Sequence, residues 1–213
     1  MGADLSDIHA VTASYYSRKA FIHGATPAGV DWPCAASQEL RIAQLLRGFD
    51  FEEGRSLNDL GCGYGAALAT IAKLHPRAEI DYLGIDLSSE MVRLAQQAWG
   101  GHARATFLVA SISPRVADYS IASGIFNVKL GCPRERWEEL VRKTLRDLGT
   151  TSRRGFAVNF LAADHEREIP ELYRTRPEAW ARCCEQECDA RVDVVSDYGL
   201  PEFTLIARKA SYV

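Results

Sequence analysis

The chain has 213 residues, 47% of them hydrophobic, which is enough for one substantial core but little for two independent domains. Its 25 basic and 28 acidic residues leave a formal net charge of −3, which argues against nucleic acid as a partner. No apolar run approaches the roughly 20 residues that cross a bilayer, and the N-terminus lacks a secretory-signal pattern. We therefore expect a cytoplasmic protein with no membrane partner.

The first 50 residues lie outside the regular pattern that follows them. Residues from Ser37 to Leu46 are predicted to form a helix, and the sequence GATPAGVDWP before them is predicted to be a loop. We interpret residues 1–50 as a helical cap or lid and residues 51–213 as the core of the same single domain.

From residue 55 onward, short β-rich runs alternate with helical segments. The β-rich runs are RSLNDL, EIDYLGID, ATFLVA, YSIASGI and RRGFAVNFL. This alternation predicts βαβ units and a parallel sheet with helices on both faces. After the fourth run, the apolar stripe of Trp137, Leu140, Val141 and Leu145 indicates a long helix.

The end of the chain changes rhythm. Two β-rich runs, RVDVVSDY and EFTLIARKA, are separated only by the turn-like GLP, so we expect them to pair as an antiparallel hairpin at the sheet edge. The predicted fold class is α/β: a Rossmann-like, mostly parallel sheet of seven strands with a C-terminal antiparallel hairpin, helices on both faces and an N-terminal helical cap.

The six cysteines do not have the spacing of a disulfide framework. Cys183, Cys184 and Cys188 form a tight group, but a fourth ligand at metal-site spacing is missing and the segment reads as a helix. We expect buried, reduced cysteines there, and the sequence leaves the role of the group open.

The segment DLGCGYG at residues 59–65 joins the first predicted strand to the first predicted helix. Glycines at 61, 63 and 65 allow positive φ and let the main chain approach a ligand closely, at the strand ends where open α/β sheets bind ligands. Asp86 ends the second predicted strand, where a carboxylate accepts hydrogen bonds from ribose hydroxyls. Together these features predict an adenosine-containing ligand. The GxGxG spacing differs from the GxGxxG of dinucleotide-binding proteins.

The segment DLGCGYG, followed by YLGIDLSSEMVRLAQQA and the closing hairpin, resembles the class I S-adenosylmethionine-dependent methyltransferases of the small-molecule type. The resemblance covers about residues 50–213 and implies S-adenosylmethionine as the cofactor. By resemblance, the methionine end is held by Asp59, Gly61, Cys62 and Gly63. The ribose is held by Asp86, and the apolar neighbours of the adenosine are Leu87 and Met91. Many relatives carry an acid after the third strand, whereas this chain has FLVASIS, so Ser111 and the Ile112 backbone are expected to serve the adenine.

Methyl transfer is accelerated mainly by proximity, alignment and the exclusion of water, so no universal catalytic residue is expected. The acceptor site is therefore expected in the N-terminal segment and in the loop after the fourth strand. The candidate catalytic residues are Tyr16, His23 and Asn127, and the candidate substrate-binding residues are Tyr15, Trp32 and Phe126. The alternative for the N-terminal aromatic residues is packing of a helix, and for His23 it is an ordinary surface position.

Missing motifs narrow the acceptor. The loop sequence SGIFNV differs from the NPPY-like motif of enzymes that methylate base amines, and the Pro-Cys pair of cytosine-C5 enzymes is absent. Asp164, His165 and Glu166 form a polar group after the fifth strand, but matching acids at other strand ends are not evident, so we predict no metal.

The resulting hypothesis is methyl transfer to an oxygen or nitrogen atom of a small molecule, in secondary metabolism. The alternatives are a cyclase or lyase that acts on the aminocarboxypropyl arm and releases methylthioadenosine, a non-catalytic adenosine-ligand-binding protein, and a nicotinamide dehydrogenase. The sequence leaves the acceptor and the oligomeric state open.

Overall fold

The computed structural model of the protein describes residues 4–51, 54–163 and 169–209. The chain divides into two compact units, one of Met1–Ala43 with Asp50–Ile112 and the other of Gln44–Phe49 with Ser113–Val213. Most of the N-terminal segment therefore groups with the first half of the predicted core. The interpretation as a cap and a core of one domain stays a prediction.

The first unit is built around three parallel strands. Helix α1 (Ser6–His23), a 3₁₀ helix (Pro27–Val30) and helix α2 (Ala35–Leu46) precede β1 (Ser56–Leu60), β2 (Asp81–Asp86) and β3 (Ala105–Val109). Helices α3 (Ala66–Leu74) and α4 (Ser89–Trp99) connect these strands, which lie in the order β3-β2-β1. Because Asp59 pairs with Gly84 and Asp86 pairs with Val109, the carboxyl ends of the strands lie at one edge.

Local sequence explains where α3 and α4 begin. Gly65, with φ of 84°, precedes the first residue of α3, a backbone conformation that favours glycine. Ser88 caps α4, and its hydroxyl accepts a hydrogen bond from the Met91 N–H at 3.2 Å. Both helices begin shortly after strand ends, so the two βα turns lie at the edge of this unit where the sequence predicts a ligand site.

The second unit contains the remaining strands. They are β4 (Ala117–Ala122), β5 (Ser152–Ala162), β6 (Arg174–Thr175), β7 (Ala190–Val195) and β8 (Glu202–Lys209), with helices α5 (Arg134–Thr150) and α6 (Pro177–Cys188). Strands β4 and β5 are parallel, whereas β8 runs antiparallel between β5 and β7. The predicted hairpin is confirmed, with β7 at the edge. The two-residue β6, parallel to β5, adds to the seven predicted strands.

The predicted α/β class with a mostly parallel sheet and an antiparallel C-terminal part is confirmed. The predicted apolar stripe of α5 is buried, and so are the three cysteines of α6. None of the helices in the described part of the chain is long and apolar enough to cross a membrane.

Candidate functional site

The glycine-rich turn after β1 needs glycine at three positions. Gly61, Gly63 and Gly65 have φ values of 76°, 54° and 84°. A Cβ on Gly63 would lie 3.0 Å from Val30 Cγ1, and a Cβ on Gly65 would lie 2.8 Å from the Trp99 ring. Backbone conformation and space both exclude larger side chains at Gly63 and Gly65.

The backbone N–H groups of this turn already have partners. Gly61 and Cys62 donate to the Ile85 carbonyl at 2.7 and 3.0 Å, and Gly63 donates to Asp86 Oδ2 at 2.9 Å. These three bonds tie the turn to the end of β2. The N–H groups of Gly61, Cys62 and Gly63 therefore hold the turn in place and do not await a ligand.

Asp86 is a partly exposed carboxylate held in place by backbone donors. Besides the Gly63 N–H, it accepts a hydrogen bond from the Ser88 N–H at 2.8 Å. Burial raises the pKa of this carboxyl group, and the backbone hydrogen bonds act in the opposite direction. A carboxylate offers about four lone-pair sites, so Asp86 keeps capacity for ribose hydroxyls.

Asp59, at the carboxyl end of β1, is only 2% exposed. The hydroxyl of the fully buried Tyr82 donates to Asp59 Oδ2 at 2.5 Å. Burial is the main cause that raises the pKa of Asp59 to about 7; the bond from Tyr82 acts to lower this pKa, and the charge of Asp86 acts to raise it. Asp59 is therefore a buried carboxyl group that titrates near neutral pH.

The structure brings Tyr16 of α1 close to Asp86. Ser17, the next residue, has its hydroxyl 2.8 Å from that of Ser88. Burial is the main cause of the strongly raised pKa of the Tyr16 phenol, and the charges of Asp31 and Asp86 add to it. The phenol therefore stays protonated and is not available as a base. Tyr15 packs edge-on against Tyr16, with ring centroids 5.1 Å apart.

The other N-terminal candidates have different surroundings. The guanidinium of Arg41 lies over the Trp32 ring, 3.9 Å from its centroid, so one face of this ring already binds a cation. His23 is the last residue of α1 and is exposed. Lys19 forms an ion pair of 2.6 Å with Asp31.

The remaining cofactor candidates fall into two groups. The side chains of Cys62 and Met91 are buried and pack in the core. Leu87 and Ser111 are partly exposed, and Ile112 is 48% exposed. Exposed apolar surface just beyond β3 suits a flat, largely apolar ligand group.

In the second unit, the loop after β4 carries polar groups without partners. Asn127 is only 4% exposed, yet in the described part of the chain neither its amide oxygen nor its amide nitrogen has a hydrogen-bond partner. The buried hydroxyl oxygen of Ser123 likewise has none among these residues. The adjacent Phe126 is buried and stacks on Phe160, with centroids 5.0 Å apart.

Sequence reasoning missed Tyr82 and Ser88, and their signals were indirect. Tyr82 pairs with Leu57, two residues before Asp59, so its side chain lies on the same sheet face as Asp59. Ser88 stands in the position of a helix cap. Asp164, His165 and Glu166 lie outside the described residues, and the absence of a metal stays a prediction.

A parallel α/β sheet with a glycine turn after β1 and a carboxylate at the end of β2 defines a protein that binds an adenosine-containing ligand. The "Methyltransferase domain" family matches residues 58–150. Rv1506c of Mycobacterium tuberculosis, whose assigned name is that of a methyltransferase, is 45% identical over 159 residues, which are 73% of this chain and 94% of the relative.

Solved structures share the fold. Magnesium protoporphyrin IX methyltransferase from Synechocystis PCC 6803, with bound SAH, has a TM-score of 0.67 at 15% identity, covering 94% of this chain and 99% of that chain. Human N-acetylserotonin methyltransferase in complex with SAM has a TM-score of 0.65 at 17% identity, covering 98% of this chain and 60% of that chain. The chain belongs to the class I S-adenosylmethionine-dependent methyltransferases. It is a transferase that uses S-adenosylmethionine.

Proposed function

We propose that the protein transfers a methyl group to an oxygen or nitrogen atom of a small molecule, and that Asn127 hydrogen-bonds the acceptor. The observation that carries this proposal is the buried Asn127 amide, whose donor and acceptor atoms both lack partners in the described residues. Leaving a buried polar group unsatisfied costs about 1–3 kcal/mol. A ligand that supplies the missing hydrogen bonds is the simplest reason for the fold to keep such a group.

The first unit supplies the cofactor side of the proposal. S-adenosylmethionine, when bound, supplies an electrophilic methyl group on a sulfonium. Asp86 accepts the ribose hydroxyls, because two backbone N–H groups already fix its carboxylate. The turn at Gly61, Cys62 and Gly63 is the proposed position of the methionine end, and the carboxyl group of Asp59, which precedes the turn, is buried.

The rest of the cofactor side is apolar or neutral. Leu87, Ser111 and Ile112 border the adenosine, and Met91 packs behind them. Tyr16 remains neutral beside Asp86 and helps to exclude water.

The groups proposed to contact the acceptor carry no charge. A carboxamide both donates and accepts hydrogen bonds, and a hydroxyl group has the same two capacities, so Asn127 and Ser123 suit an alcohol or phenol best. Phe126 holds the loop in two ways. Its ring packs against Phe160, and its carbonyl accepts a hydrogen bond from Trp137 Nε1 at 3.0 Å. Trp32 and Tyr15 remain candidates for contact with the acceptor, whereas the exposed His23 has no role in the proposal.

The names of similar structures support a small acceptor. One is named for magnesium protoporphyrin IX and another for N-acetylserotonin, and both are small molecules. A place in secondary metabolism is also part of the proposal.

Product analysis tests the proposal. The purified protein is incubated with S-adenosylmethionine and a panel of phenols, alcohols and amines, and both cofactor and acceptor products are identified by mass spectrometry. S-adenosylhomocysteine together with an acceptor that has gained one methyl group is the expected result. Methylthioadenosine would instead indicate reaction at the aminocarboxypropyl arm and would overturn methyl transfer.

A further inference from the structure

A buried chain of hydrogen bonds lies behind the loop that carries Asn127. Asn159 is 0% exposed and stands in β5 within the apolar run FAVNFL. Its Oδ1 accepts a bond from the Gly124 N–H at 2.7 Å, and its Nδ2 donates to Glu202 Oε2 at 2.8 Å. Glu202 begins β8 and is itself only 3% exposed.

The carboxylate of Glu202 fixes which way the Asn159 amide points. A carboxylate only accepts hydrogen bonds and a backbone N–H only donates them, so the Asn159 nitrogen must face Glu202 and its oxygen must face Gly124. Bonds to a charged group are about twice as strong as neutral ones. Glu202 therefore locks Asn159 in the one orientation that holds the Gly124 N–H.

The peptide groups of Gly124 connect this chain of bonds to Asn127. The Gly124 carbonyl accepts a bond from the Asn127 N–H at 3.1 Å, while its N–H is held by Asn159. Gly124 has φ of 73°, a conformation that favours glycine. The turn from Gly124 to Asn127 is thus held by hydrogen bonds to both the N–H and the carbonyl of Gly124.

We propose that Asn159 and Glu202 are positioning residues that set the direction of the Asn127 side chain toward the acceptor. This inference rests on the proposed function of Asn127. Packing of β5 against β8 alone would be better served by apolar side chains, because a buried carboxylate carries a desolvation cost of several kcal/mol. The bond to Gly124 gives the buried pair a purpose that packing does not.

The test exchanges the two side chains' chemistry. Asn159→Asp places two carboxyl groups side by side and loses the donor to Glu202. The double variant Asn159→Asp with Glu202→Gln restores both bonds. The glutamine nitrogen donates to one oxygen of the new carboxylate at position 159, and the second oxygen of that carboxylate accepts from the Gly124 N–H. Asp197→Asn is the matched control, because Asp197 lines the same cavity of about 530 Å³ as Glu202 and lies outside the hydrogen-bond chain.

We expect Asn159→Asp to lower kcat by about tenfold to a hundredfold, as a displacement of about 1 Å does at a reacting centre. S-adenosylhomocysteine affinity by calorimetry should stay unchanged, and the double variant should recover most of the kcat. Should Asn159→Asp not fold, Glu202→Leu, which removes the orienting carboxylate at similar size, is expected to show the same loss. Full kcat in the single variants, or no recovery in the double variant, would overturn the inference.

Hydrogen exchange separates failure of this inference from failure of the proposed function. Peptides that cover residues 123–127 should exchange faster in Asn159→Asp and recover in the double variant, whatever acceptor is used. A wild-type protein that methylates no member of the panel contradicts the proposed function. Unchanged exchange at residues 123–127 contradicts the positioning role itself.

Discussion

The polar groups at the end of β2 and those in the loop after β4 differ in whether they have hydrogen-bond partners within the protein. Asp86 accepts hydrogen bonds from two backbone N–H groups, and the nearby Asp59 receives one from Tyr82. Asn127 is buried nearly as deeply as Asp59, yet its side-chain amide has no partner among the described residues. The first region is complete before any ligand binds, whereas the second is left unsatisfied.

Because of this difference, we expect substitutions in the two regions to have different effects on stability and on function. Where a carboxylate is already part of the folded structure, its removal disturbs both the fold and the bound cofactor. Where a buried amide has no partner, its replacement by an apolar side chain removes a desolvation cost and leaves the fold intact or more stable. Substitutions in the two regions should therefore differ in kind.

The largest effect is expected for Asn127→Leu. Turnover should fall about a hundredfold, because the acceptor loses its alignment, while the unfolding free energy from urea titration should stay the same or rise by about 1 kcal/mol. Asn159→Leu is the matched control in the same unit. It removes the acceptor of the Gly124 N–H and the donor to Glu202 Oε2, so it should destabilise the protein by about 1–3 kcal/mol. Equal destabilisation by both variants would contradict the conclusion that the Asn127 side-chain amide contributes no hydrogen bond to the folded state.

A smaller effect is expected for Asp86→Ala, which tests the region at the end of β2. Loss of charged hydrogen bonds should weaken S-adenosylhomocysteine binding by about 1–3 kcal/mol in calorimetry. The melting temperature should fall as well, since the Gly63 and Ser88 N–H groups lose their acceptor.

Asp81→Ala serves as the control for Asp86→Ala, because Asp81 is exposed at the opposite end of the same strand. Its substitution should leave the affinity for S-adenosylhomocysteine unchanged. An Asp86→Ala variant with wild-type affinity would show that Asp86 does not hold the ribose.

The elements that follow a local pattern were predictable from sequence. The alternation of β-rich runs with helical segments predicted the first five strands, and the two β-rich runs around GLP predicted the C-terminal hairpin. The glycines with Asp86 predicted a ligand site at the carboxyl ends of β1 and β2. Strand β6 was missed because two residues carry no periodic signal.

Partners that depend on pairing between distant segments were not predictable. Asn159 reaches Glu202 only because β5 and β8 lie antiparallel, in a register that periodicity does not determine. Phe126 and Asn127 are adjacent in sequence, yet one stacks on Phe160 and the other has no partner in the described residues. Sequence position marked the loop as functional, and only the packing distinguished the two side chains.

The smallest effect concerns the pH dependence of binding. It tests whether the carboxyl group of Asp59 holds the methionine end of the cofactor. Its pKa of about 7 lies above the 3.8 of the unfolded chain, because the buried site disfavours the charge. The stability that this provides is fully present below pH 3.8 and is lost as the pH rises through about 7. The α-ammonium group at the amino-acid end, which S-adenosylhomocysteine shares with S-adenosylmethionine, favours the carboxylate form of Asp59, so binding must release the proton at lower pH. Affinity for S-adenosylhomocysteine should therefore rise between pH 6 and 8, by up to about tenfold.

Two variants isolate this titration by calorimetry at pH 6, 7 and 8. Asp59→Asn keeps an acceptor for the Tyr82 hydroxyl and removes the ionisable group, so the affinity should become nearly independent of pH. Tyr82→Phe removes the donor that lowers the pKa of Asp59, so the rise in affinity should move to higher pH. A pH profile that survives in Asp59→Asn would assign the titration to another group, with Asp86 as the first candidate because burial raises its pKa too. In that case the methionine end would not be held at the buried carboxyl of β1.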